Sequence, residues 1–181
     1  MADESPRRRD GLLTTTKFAL VFVKVALGIG IGVVLSALPA ILLNQEMVAA
    51  ELVKDGKAVA IGEFVGSVSV LLPMVAALLA LAFWFVHMLG RIVDTVGDGD
   101  PFIPANADRL RTMGWVALTI QLATLPIGAT ALWVTRQVKD NPSNLDFDLS
   151  FTGLVLVLIL FILARVFRRG AEMREELEGT V

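Results

Sequence analysis

The chain has 181 residues, 55% of them hydrophobic, and a formal charge of −2. A soluble domain is about 45–50% apolar, so this composition points to lipid as the surrounding solvent. The absence of cysteine excludes disulfides, thiolate metal sites, thioether haem attachment and thiol catalysis, and a single histidine cannot build a histidine-rich metal centre.

Residues Met1–Lys17 are polar and charged, with Arg7, Arg8 and Arg9 in sequence. They read as a cytoplasmic tail with little structure. The first apolar run, Phe18–Leu43, starts a helix within Lys17–Val21. Secretory apolar cores are about 7–15 residues long, so this run is too long for a cleaved leader. It is also about 39 Å long as a helix, against a hydrocarbon core of about 30 Å. The excess lets Lys24 sit near the cytoplasmic boundary, where its stem can snorkel. Gly28, Gly32, Ser36 and Ala40 recur every four residues as a small-residue stripe. Water supplies no driving force between helices in lipid, so such stripes serve close backbone packing, and this face is expected to pack on another helix, of the same chain or of a second one.

Gln45–Lys54 has helical spacing, through Met47, Val48 and Leu52, and Asp55-Gly56 reads as a turn. The second run, Val65–Leu89, carries Pro73 near its middle, where a kink is expected. Phe83, Trp84, Phe85 and His87 approach its boundary, and His87 reads as an interfacial side chain with an ordinary hydrogen-bond partner. Gly97-Asp98-Gly99-Asp100-Pro101 is a turn by composition. Asp94, Asp98 and Asp100 lack calcium-loop spacing, so no metal is assigned to them. Pro104 suits the first position of a helix that continues through Arg111 into the third run, Met113–Val134. Asp108 and Arg111 are spaced to pair on its surface, and Arg109 and Arg111 are expected at headgroup level.

Gln121, Thr124, Pro126 and Gly128 place polar and kinking residues inside the third run, with Trp115 and Trp133 at its two ends. Asp140-Asn141-Pro142 breaks the chain before the fourth run, Leu149–Phe167. That run is bulky and is expected to meet lipid over much of its surface. It continues past the boundary as Arg165–Glu178, with Arg174 and Glu178 at pairing distance and Gly179 as terminator.

Each of the four runs reaches or nearly reaches the roughly 20 residues of a helical crossing. The fold class is therefore all-α: a polytopic membrane protein of four transmembrane helices. Twelve of the 16 lysines and arginines lie in the N-terminal segment, the middle loop and the C-terminal end. The positive-inside rule puts these segments, and both termini, in the cytoplasm. The domain plan is a tail over residues 1–17, a membrane domain over 18–167 and a cytoplasmic helical tail over 168–181.

Two stretches carry a resemblance. One is Gly99-Asp100-Pro101-Phe102-Ile103-Pro104-Ala105-Asn106, running on through Arg109-Leu110-Arg111. The other is Phe167-Arg168-Arg169-Gly170-Ala171-Glu172-Met173-Arg174, ending in Thr180-Val181. Together they resemble the domain of unknown function 2975 family, small four-helix bacterial membrane proteins. Ile103 stands where the family often has a threonine, and Met173 where it has a leucine. The resemblance implies the bacterial cytoplasmic membrane and no established activity. It also implies a cytoplasmic partner, since members are often encoded beside a small helix-turn-helix regulator.

Asp94, Asp98, Asp100, Arg109, Arg111, Arg168 and Arg169 form the candidate interaction surface, with Arg168 or Arg169 expected to meet one of the first three. The favoured function is a regulatory or sensory membrane protein that touches lipid, binds a cytoplasmic protein and makes no direct contact with nucleic acid. A second copy of the chain is a further candidate partner. The alternative is a small transporter or channel subunit using Gln121 and Thr124. No nucleophile, base and metal set suggests an enzyme, and no cofactor is expected.

Overall fold

The computed structural model describes residues 11–54, 60–138 and 149–178. These form five helices: α1 (Gly11–Leu43), α2 (Gln45–Lys54), α3 (Ile61–Gly97), α4 (Pro104–Val138) and α5 (Phe151–Glu178). Four of them, α1, α3, α4 and α5, are long and apolar enough to cross a membrane. In lipid every backbone group must be satisfied within the segment, and unbroken helices do so. The protein is a multi-pass integral membrane protein. The turn at Asp55-Gly56, the breaker at Asp140-Asn141-Pro142, Arg7–Arg9, the terminator Gly179 and the side chain of Glu178 lie outside the described residues.

The spanning helices pack in chain order: α1 on α3, α3 on α4, and α4 on α5. α1 and α5 are thus the two flanks of a row. The core sits between α3, α4 and α5, where Met88 and Ile92 meet Leu110, Met113, Val116, Leu160 and Ala164. It lies toward the end where α3 stops and α4 begins. Close approach replaces hydrophobic drive here. A Cβ on Gly114 would sit 3.1 Å from the Phe161 ring, and one on Gly153 would collide with the Gln121 amide. α5 buries only a stripe through Val157, Leu160, Ala164 and Ala171, leaving Leu154, Leu158, Ile159 and Ile162 outward as expected for a lipid-facing helix.

One expectation changes. α1 begins at Gly11, about two turns before the apolar run. Leu13 and Lys17 lie against Gly97 of α3, so tertiary contact holds polar sequence in a helix. Pro73 and Pro126 sit inside uninterrupted helices, as Pro39 does in α1. The small-residue stripe meets no other helix among the described residues: added Cβ atoms on Gly28 or Gly32 would find open space, and Ser36 and Ala40 are exposed. The face of α1 that packs carries Lys24, Gly30 and Val34 instead, and Gly30 touches Leu79.

Candidate functional site

The charged residues gather at one end of the row, where α1 starts, α3 ends, α4 starts and α5 ends. α3 closes with a Schellman arrangement. Gly99 takes φ +84°, and the Gly99 and Asp100 amides donate to the Val96 and Thr95 carbonyls at 3.1 and 3.0 Å. Glycine is needed there because a side chain would be strained at positive φ. The chain then turns through Pro101 and Phe102 into α4.

Asn106 locks this turn. Its side chain is fully buried. Its Nδ2 donates to the Thr95 hydroxyl at 2.7 Å and to the Pro101 carbonyl at 2.9 Å. Its Oδ1 accepts from Arg109 at 2.7 Å. The Thr95 hydroxyl in turn donates to the Ile92 carbonyl at 2.8 Å. A buried amide with its donors and acceptor engaged specifies one geometry, because any shift orphans a polar group. Arg109, expected among the headgroups, is half-buried in this network.

Phe102 extends the lock to α5. Its ring lies 5.2 Å from that of Phe167, and its Cδ1 is 2.7 Å from where a Cβ on Gly170 would be. Gly170 leaves the gap that Phe102 fills.

Ion pairs among the described residues tie the helices together at this end. Lys17 of α1 meets Asp94 of α3 at 2.9 Å, Arg168 of α5 meets Asp108 of α4, and Arg174 of α5 meets Asp100 in the turn. The expected contact between Arg168 or Arg169 and Asp94, Asp98 or Asp100 is therefore made differently. Asp108 lies on the α4 edge that faces α5, so it takes Arg168 across the seam rather than Arg111 along its own helix. Asp98, Arg111 and Arg169 are exposed and have no ion-pair partner among the described residues. Sequence reasoning missed Lys17, Thr95 and Phe102. The signal for Phe102 was present: the turn and a glycine on α5 both belong to the stretches that carry the resemblance.

Lys24 reaches this end from within α1. Contact of Gly30 with Leu79 puts Lys24 roughly level with Phe85, yet its ammonium lies 2.9 Å from where a Cβ on Gly90 would be. That is about 7 Å nearer the charged end at 1.5 Å per residue, so the side chain leans along α3 through the space Gly90 leaves. His87 is exposed on α3 with no hydrogen-bond partner among the described residues. At the far end of the seam, Gln121 donates to the Ser150 carbonyl at 2.6 Å and Thr124 donates to the Gln121 carbonyl at 2.6 Å.

Beyond Arg168, α5 runs roughly 15 Å farther, to Glu178, at 1.5 Å per residue. Met173 and Leu177 are 58% and 73% exposed on it, among Glu172, Arg174, Glu175 and Glu176.

No curated protein and no solved structure matches the chain. One family model does, that of proteins of unknown function (DUF2975), over residues 44–181. The match takes in α2 to α5, the Gly99–Phe102 turn and the α5 extension, and leaves out α1 with Lys17 and Lys24. With most of its length matched, this chain belongs to the DUF2975 family.

Proposed function

We propose that the charged end faces the bacterial cytoplasm and that the α5 extension is a docking helix for a cytoplasmic regulatory protein. The observation that carries this reading is the pairing of an exposed apolar stripe with a rigid mount. Met173 and Leu177 lie four residues apart, on one face of a helix. Val166, seven residues before Met173, continues the face toward the membrane. A helix with no partner outside lipid gains nothing from presenting such a face to water. The mount is the Phe102–Gly170 contact and the Arg174–Asp100 pair, which fix where the helix points.

The extension is acidic, with Glu172, Glu175, Glu176 and Glu178 against Arg169 and Arg174. The partner this fits is a small basic protein with an apolar groove, binding in helix-in-groove fashion. A small helix-turn-helix regulator has that character. Gln121 and Thr124 each donate to a backbone carbonyl, which does not favour the transporter reading.

The test is co-purification from detergent with the product of a neighbouring regulator gene. Met173→Glu with Leu177→Glu should abolish recovery while leaving the helical fold intact by circular dichroism. Full recovery with that variant would reject the docking helix.

A further inference from the structure

A second feature of the charged end stands apart from the docking helix and does not depend on it. A groove of about 270 Å³ opens along the α4–α5 seam, lined by Ala107, Arg111, Phe161, Ala164, Arg165 and Arg168. The register of the seam is fixed on both sides of it. Asp108 meets Arg168 on one side, and Gly114 receives the Phe161 ring on the other. Arg111 lies midway between Asp108 and Gly114, and Arg165 between Phe161 and Arg168. The two guanidinium-bearing residues therefore face each other across the seam.

No carboxylate lines the groove. Asp108, next to Ala107 in the α4 wall, is committed to Arg168. Neither Arg111 nor Arg165 has an ion-pair partner among the described residues. Two like charges set opposite each other repel, and an anion between them removes that cost. Guanidinium groups favour phosphate because their planar donors match its oxygens two at a time.

The walls deeper in the membrane are apolar. Phe161 packs edge-to-face with Trp115 at 5.4 Å, and Trp115 is 55% exposed one turn inward from Arg111. Tryptophan at that depth marks the lipid–water boundary. A free phosphate would use the arginines and leave this aromatic wall idle. A ligand with a phosphate at one end and hydrocarbon at the other uses both.

The geometry points to a binding site for one anionic phospholipid in the α4–α5 groove, its phosphate held by Arg111 and Arg165 and its acyl chain lying on Phe161 and Trp115. Such a lipid cements the two helices at the level where the turn and the α5 extension begin.

The experiment uses the full chain in maltoside micelles, with Trp84→Phe and Trp133→Phe leaving Trp115 as reporter. Short-chain phosphatidylglycerol and phosphatidylcholine are titrated separately, with inorganic phosphate as competitor. Phosphatidylglycerol is expected to bind at least tenfold more tightly than phosphatidylcholine. Arg111→Gln with Arg165→Gln should weaken phosphatidylglycerol by about thirtyfold, at about fivefold per basic residue near a membrane surface. Arg111→Lys with Arg165→Lys should keep most of the preference, and Arg169→Gln, outside the groove, all of it. Equal binding of the two lipids, a preference that survives the double glutamine variant, or displacement of phosphatidylglycerol by equimolar inorganic phosphate would each overturn the assignment.

Discussion

Replacing Asn106 by alanine tests the polar lock most sharply. The substitution deletes two donations, to Thr95 and Pro101, and one acceptance from Arg109. A neutral hydrogen bond is worth about 1 kcal/mol net and a charge-assisted one about 1.5–3 kcal/mol, so the gross loss is about 3.5–5 kcal/mol. Thr95, Pro101 and Arg109 are only half-buried, so water recovers part of it. The expected net destabilisation is about 2–3 kcal/mol. Asn106→Leu separates volume from hydrogen bonding: it fills the space but orphans the same groups, and should cost at least as much. Equilibrium unfolding in mixed detergent micelles, followed by near-ultraviolet circular dichroism, measures both. If either variant unfolds within about 0.5 kcal/mol of wild type, the range of ordinary surface changes, the network does not hold the turn.

Gly114→Leu should cost about 1–3 kcal/mol by forcing α4 from Phe161, whereas Gly28→Leu, which meets open space, should change stability by less than about 0.5 kcal/mol; the same unfolding assay compares them. Gly170→Leu should expel Phe102 from its seat and lower recovery of the docked partner severalfold in the pull-down, while helix content stays at the wild-type level. Gly90→Leu should block the path of the Lys24 side chain and destabilise the fold by about 1–3 kcal/mol, and adding Lys24→Met should recover part of that loss. A full Gly90→Leu penalty with Lys24→Met present would show that the lysine is not the group displaced.

The local elements were legible because their signals are local. Helical spacing placed α2 over Gln45–Lys54, Pro104 opened α4 as expected, and the charged run after Phe167 continued α5 to Glu178. What the sequence hid depends on which elements meet. Asn106 stands near a helix start, where an asparagine favours the terminus by default, and only the return of Thr95 beside it makes it a buried keystone. Asp108 and Arg111 have pairing spacing, but the arrival of α5 redirects Asp108 to Arg168. The Gly28–Ala40 stripe has the spacing of a packing face, yet α3 lies against Gly30, about 160° round the helix from Gly28 and Gly32. A small-residue pattern identifies a smooth face and carries no record of what approaches it.

The absence of cysteine makes topology directly measurable. Single cysteines at Asp98, in the turn, and at Gln45, at the start of α2, sit at opposite ends of the row and are both exposed. With a membrane-impermeant thiol reagent on intact cells, the account predicts labelling at position 45 and protection at position 98 until the membrane is permeabilised. Labelling of position 98 in intact cells, or equal labelling at both positions, would contradict a four-span protein that presents its charged end to the cytoplasm.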